Sequence, residues 1–526
     1  MFRFLGLALA CVLLLVPACG SGSSDDAIGS AVRGPSNYAL PFVPNAAGES
    51  LTIGFRNLTT TAGTVYVTAY LPSGAAYGPG TVDVDVPALG GVQIPLAFFT
   101  GPAVTLGGWL EIETRDLTTL DPTTGAPAAT PTSGFITSYT ERFESALDSD
   151  GALGVAFRDD FHYVSFNPFT IAYQIINGSF TPGAGGETAE AITVNVVQYD
   201  AFGVPSAPIP TVIPASGSVL FVPTVSSGRI EVTPAVATPP GVEVRIAAAG
   251  LEADPQVFVE ARLLEVDRTT FQRFVGFDVE FGTDPAGNVY DFFVQATNAT
   301  TRNATITLEG VYRANGTAIL DTPRTIAVDA KRTKLLATTN LDSQGLDTGE
   351  DSPFSDIFGP VETALDLDVV TVVFSVSADV SISARGWNRF KSFYRVLPGR
   401  KLTTQVAALG INAPVTTATG ARNWISLMNP RQNEVQINIR GFTPGGTEYI
   451  LESVTVPAFS RVEWSADGLL FTEDPTDPTQ DQVPFMCFLM TGQGGVFFNA
   501  RRTWRDLIDL EVRAIAPQVV RDLRAD

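Results

Sequence analysis

The chain has 526 residues, 45% of them hydrophobic and 17% charged, enough material for about three or four separate cores. A formal charge of -22 argues against nucleic acid as a partner, because phosphate binding rests on a basic surface. With one histidine, His162, any triad, His-based metal cluster or His general base would depend on that residue alone, and no phosphate-binding loop, nucleophile elbow or paired-Cys motif is present.

In chain order, Met1-Phe2-Arg3 precedes an apolar, charge-free stretch from Phe4 to Val16, too short to span a bilayer and typical of a signal-peptide core. It ends in Val16-Pro17-Ala18-Cys19, which resembles the lipobox of bacterial lipoproteins. The resemblance implies a signal peptide over 1–18 and a lipid on Cys19, the new N-terminus, giving a membrane anchor. Pro17 departs from the family pattern, so ordinary secretion stands as the alternative. Gly20, rather than Asp, resembles the outer-membrane variety. Residues 19–34 are polar and Gly/Ser-rich, a flexible tether. Cys11 falls in the leader, and Cys487, in the apolar run Pro484–Met490, is expected in a core. An acylated Cys19 therefore leaves no disulfide within one mature chain.

The mature chain carries a pattern four times over: a strand closed by Asn, an alternating strand, a Gly turn, and a short strand ending near Pro-Ala. The closing asparagines are Asn57, Asn177, Asn298 and Asn429; the Gly turns lie at Gly74, Gly203, Gly316 and Gly445-Gly446. The short strands end at Pro87-Ala88, Pro214-Ala215, Asp329-Ala330 and Pro457-Ala458. The second copy carries a Gly-rich insertion, Thr181–Gly186. A further strand is expected at Ile136–Tyr139, Val259–Arg262, Ile382–Arg385 and Phe498–Arg501, the last three sharing an apolar-x-Ala-Arg pattern. The Asn-x-Ser/Thr triplets, such as Asn57-Leu58-Thr59, read as turn chemistry rather than glycan sites.

Many Val, Thr and Phe, with 48 Gly and 36 Pro, predict an all-β fold: four tandem antiparallel β-sandwich domains. By strand count and spacing they resemble immunoglobulin-like or fibronectin type III-like units, without the Cys, Trp, Cys framework of true immunoglobulin domains. The expected units are 35–145, 150–269, 271–391 and 392–505, followed by a C-terminal segment, 506–526, with a short strand before Pro517.

Two acidic loops have the oxygen-rich, Gly-turn character that Ca²⁺ uses: one with Asp342, Asp347, Glu350 and Asp351, the other with Asp474, Asp477 and Asp481. Neither has EF-hand spacing, and a solvated loop is the competing reading. Trp109 and Trp424 fall within apolar strands and are expected in cores, whereas Trp387 and Trp504 follow closing strands, where an exposed or interdomain place is open to them but packing is the favoured account. His162, beside Phe161 and Tyr163, reads as a strand-edge residue.

The resulting expectation is a non-catalytic, lipid-anchored cell-envelope protein, a rod of sandwiches with a structural, adhesive or binding role toward an envelope protein or glycan. It needs no cofactor. Two alternatives stay open: a carbohydrate-binding surface protein, which needs aromatic side chains clustered on one exposed face, and a carboxylate-dependent glycoside hydrolase, which needs two acids converging in a cleft.

Overall fold

The computed structural model is all-β, with one short helix, α1 (Ala97–Thr100). It describes residues between Ser36 and Asp522. Residues 1–35, 115–135, 263–272, 338–367, 410–421, 466–486 and 523–526, with shorter loops, fall outside the description.

The first copy of the sequence pattern supplies β1 (Ser36–Phe42), β2 (Ser50–Asn57), β3 (Gly63–Tyr70), β4 (Val82–Val86), β5 (Gly91–Pro95), β6 (Gly108–Thr114), β7 (Ile136–Ser145), β8 (Asp148–Leu153) and β9 (Val155–Ala156). One antiparallel sheet runs β4-β3-β6-β1-β9 and the other β5-β2-β7-β8. Alternation decides which side chains meet the core: in β3, Val65, Val67 and Ala69 are buried while Tyr66, Thr68 and Tyr70 are half-buried. Leu40, Ile53, Phe55, Val84 and Ile112, drawn from both sheets, complete that core.

The second copy supplies β10 (His162–Phe166), β11 (Thr170–Asn177), β12 (Phe180–Gly183), β13 (Gly186–Ala189), β14 (Ile192–Asp200), β15 (Ile209–Ile213), β16 (Ser218–Phe221), β17 (Gly228–Pro234), β18 (Ile246–Ala253) and β19 (Val259–Arg262). Its sheets run β15-β14-β17-β10 and β16-β11-β18-β19, the first copy's orders again, and the Gly-rich insertion is the hairpin β12-β13.

In the third copy come β20 (Arg273–Thr283), β21 (Val289–Asn298), β22 (Ala304–Arg313), β23 (Arg324–Val328), β24 (Thr333–Ala337), β25 (Asp368–Val376), β26 (Val380–Asn388), β27 (Phe393–Pro398) and β28 (Arg400–Lys401). The orders β23-β22-β25-β20 and β24-β21-β26-β27 recur, joined by a short pairing of β20 with β21, and β28 adds to β20 as β9 adds to β1.

The fourth supplies β29 (Thr403–Leu409), β30 (Arg422–Asn429), β31 (Val435–Phe442), β32 (Glu448–Val456), β33 (Ser460–Ser465), β34 (Cys487–Arg505), β35 (Val512–Ile515) and β36 (Val520–Asp522). Here the long β34 serves both sheets: residues from Cys487 pair with β31 and β29, and residues from Phe497 onward pair with β30 and β35. Each pair of sheets encloses one apolar cluster.

Strand pairing extends the units beyond the expected bounds. The first copy's sheets continue past 145 to β9, the third's past 391 to β28, and the segment 506–526 contributes β35 and β36 to the fourth. In the second copy the strand beside β11 is β18, so Val259–Arg262 is not the counterpart of Ile382–Arg385 but the next strand outward.

The arrangement is also not a rod. The Gly91 N–H, in the first copy, donates to the Pro444 carbonyl in the fourth at 3.1 Å. Strand β8 adjoins both β19 and β35, and β35 adjoins β27, so these outermost strands gather in one place.

Candidate functional site

Among the described residues, the recurring asparagines are buried and hydrogen-bonded to the backbone around them. Asn57, Asn177, Asn298 and Asn429 have no exposed surface. The Asn298 Nδ2 donates to the carbonyls of Arg302 (2.8 Å), Val328 (3.0 Å) and Asp329 (3.1 Å), while its Oδ1 accepts from the Thr300 N–H at 2.9 Å. Asn177 bonds the carbonyls of Glu190 and Pro214 and the Ser179 N–H; Asn429 bonds the carbonyls of Asn433, Val456 and Pro457 and the Arg431 N–H. Asn57 reaches the Val86 carbonyl. A strand end, a turn and the Pro-Ala corner are thereby tied by one amide, whose short side chain mimics a backbone turn.

The corners share a strained residue. Leu89 (φ 50°), Ser216 (φ 50°), Lys331 (φ 63°) and Phe459 (φ 50°) are the non-glycine residues with positive φ among the described residues, and each follows the corner's alanine. Glycine would suit that conformation better, by about 1 kcal/mol. What the larger residue adds is contact with the preceding copy: Lys331 reaches Glu231 there, and Phe459 reaches Tyr312.

Each corner seats on the turn after the preceding copy's alternating strand. The Ser218 N–H donates to the Pro72 carbonyl (2.9 Å) and the Thr333 N–H to the Ala201 carbonyl (3.1 Å), the counterparts of Gly91 to Pro444. For the remaining pair, Phe459 stacks on Tyr312 with ring centroids 6.0 Å apart. First meets second, second third, third fourth, and fourth first. The seat needs glycine: a Cβ on Gly74 (φ 88°) would lie 1.9 Å from the Ala215 carbonyl oxygen, and one on Gly203 (φ 82°) 3.0 Å from that of Ala330.

The joints differ in chemistry at one position. Trp109 pairs with Tyr70, Arg229 with Tyr199, and Thr371 with Tyr312. Trp109 is buried among Ala39, Ile176, Ala247 and Ala249, stacks on Tyr70 at 4.9 Å, and donates from Nε1 to the Ser216 carbonyl at 3.0 Å. Gln174 Nε2 donates to the Gly108 carbonyl across the same joint.

At the second joint, the Arg229 guanidinium lies 3.7 Å above the Tyr199 ring and is paired with Glu231, which Lys331 of the third copy also reaches, at 3.1 Å. Burial alone would raise the Glu231 carboxyl, but Arg229 and Lys331 overcome it and hold it below the ordinary value. At the third joint, Asp278 accepts from Thr371 Oγ1 (2.7 Å), from Ser426 Oγ and from Arg461 Nε (3.2 Å). Burial opposes the Arg461 charge, yet Asp278 and Glu463 keep its ionisation above the usual value. Val373, Met428 and Phe497 pack beside this network.

None of these joint residues carries a sequence signal for a site. Cys19 and the acidic Asp342, Asp347, Glu350, Asp351, Asp474, Asp477 and Asp481 lie outside the described residues. His162 opens β10 opposite Val232, and Cys487 opens β34. Trp109 is buried, but between copies rather than inside its own core. The side chains of Trp387, Trp424 and Trp504 lie outside the description. Among the described residues, no group of three or more His, Cys, Asp or Glu side chains is placed to hold a metal ion, and no helix is long and apolar enough to cross a membrane. No family model matches the chain, and no curated protein matches it.

Proposed function

We propose that the chain is a non-catalytic, lipid-anchored cell-envelope protein with a structural or binding role, built of four immunoglobulin-like β-sandwich domains closed into a ring. The observation that carries this reading is where the buried charge lies. Arg229, Asp278 and Arg461, the charged residues buried among those described, all stand at joints between copies. A buried ion pair adds little net stability but is costly to break, and the pairs Lys331–Glu231 and Arg461–Asp278 each join one copy to the next, so these side chains serve assembly of the body.

The Val16–Cys19 motif supports attachment to the envelope, with the Gly/Ser-rich stretch after Cys19 as the tether. Intact mass and detergent partitioning of the full chain made in a bacterial host, with Cys19→Ala beside it, test the anchor. The reading requires a lipid-sized mass increment and membrane retention that the variant loses; an unmodified, soluble wild type overturns it in favour of a secreted protein.

A further inference from the structure

Glu111 and Glu231 occupy the same place in the first and second copies. Each lies two residues beyond the residue that pairs with the tyrosine ending the alternating strand, on the face turned toward the next copy: Tyr70 pairs with Trp109 as Tyr199 pairs with Arg229. Their surroundings are opposite in charge. Glu231 has Arg229 beside it and Lys331 across the joint. The positions of those two cations are taken in the first joint by Trp109 and Ser216, neither of which can neutralise a carboxylate.

Among the described residues, few groups face Glu111. From β3, the Tyr70 hydroxyl donates to its Oε2 at 3.1 Å. From β6 comes Glu113 and from the β12-β13 hairpin Glu187, both repelling a negative charge; from the segment before β18 comes Arg245, which attracts it. Arg245 is already engaged, at 2.9 Å from Glu243 and over the Phe180 ring. The aromatic hub depends on the same contacts: Tyr70, held by Glu111, stacks on Trp109, and Trp109 holds the second copy's corner through Ser216.

We propose that the joint between the first and second copies is a pH-responsive hinge, closed while Glu111 is protonated and loosened when it ionises. Burial, with Glu113 and Glu187 adding to it and Tyr70 and Arg245 opposing, pushes the Glu111 carboxyl up from 4.5 to about 7. Opening the joint admits water and returns the group to its ordinary value. Below about pH 4.5 both forms are protonated and ionisation does not distinguish them; between 4.5 and 7 the open form ionises first; above 7 the disadvantage of the closed form is complete. Closure is therefore favoured at acidic pH and weakens progressively as pH rises from about 4.5 to about 7. The charged joint at Glu231 lacks this response in the same window, because its carboxyl is shifted downward.

The test is amide hydrogen exchange of the intact protein at pH 5 and pH 8, corrected for the intrinsic pH dependence of exchange, read in residues 108–114 and 214–221. Wild type should lose protection there by up to roughly seventyfold at pH 8, and Glu111→Gln, which keeps the hydrogen-bonding shape without the charge, should hold it at both values. Protection at the second joint, residues 228–234, should stay level. Equal protection in wild type at the two pH values, a Gln variant that keeps the wild-type response, or a loss spread evenly over every copy would each overturn the hinge. None of these readouts depends on the lipid anchor.

Discussion

At the scale of single residues, the buried asparagines show why one amide can organise a repeat. Nδ2 of Asn298 serves the Arg302, Val328 and Asp329 carbonyls, and its Oδ1 serves both the N–H and the hydroxyl of Thr300. No other side chain of that length offers two donors and an acceptor in one plane. Asn298→Ala takes the acceptor from the Thr300 N–H and a donor from three carbonyls, of which Asp329 keeps the Arg332 N–H and Arg302 the Thr300 hydroxyl, and is expected to cost about 2 kcal/mol. Asn298→Asp keeps the acceptor but turns a second oxygen toward three carbonyls, so it should rescue nothing. Urea unfolding checks both: the midpoint should fall with the slope unchanged, and a loss below about 1 kcal/mol for Ala would refute the role.

At the scale of elements, the unit of assembly is a corner on a seat, and glycine reports on it. Gly74 and Gly80 both have positive φ, at 88° and 82°, but a Cβ on Gly80 meets nothing within 4 Å whereas one on Gly74 strikes the Ala215 carbonyl. Ala at either site carries the left-handed penalty of about 1 kcal/mol. Gly74→Ala must also push the second copy away, so its destabilisation should exceed that of Gly80→Ala by a further ~1–2 kcal/mol. Equal losses would mean that the seat yields without harm.

Much of the corner was legible in the sequence. Asn177, Gly203 and Pro214-Ala215 recur because backbone geometry, which does not vary among copies, demands them. The Asn-x-Ser/Thr triplets read as turn chemistry, and the Ser179 and Thr300 N–H groups bond the asparagine side chains as that reading requires. The joints were not legible for the converse reason. Trp109, Arg229 and Thr371 hold one structural position with three chemistries, apolar, cationic and hydroxyl, so no recurring residue type marks it. An outward-facing charge such as Arg229 or Asp278 also reads as solvated surface until its partner copy is in place.

At the scale of the whole molecule, closure follows from repetition of one joint. Every copy offers a corner on one side and a seat on the other, and the fourth seat, at Pro444, meets the first corner, at Gly90-Gly91. A linear array built from the same parts would leave the first corner and the last seat facing water and would need distinct ends. The two shapes differ strongly in solution scattering. A compact body of this length has a radius of gyration of about 25 Å, whereas four sandwiches end to end would exceed about 40 Å. The ring requires the smaller value, somewhat raised by its tether. It also requires the Gly91 amide, which donates to Pro444, to exchange slowly in the intact chain and quickly once residues 403–526 are removed. A rod predicts the larger radius and a Gly91 amide indifferent to that truncation, since nothing in the fourth copy would then touch the first.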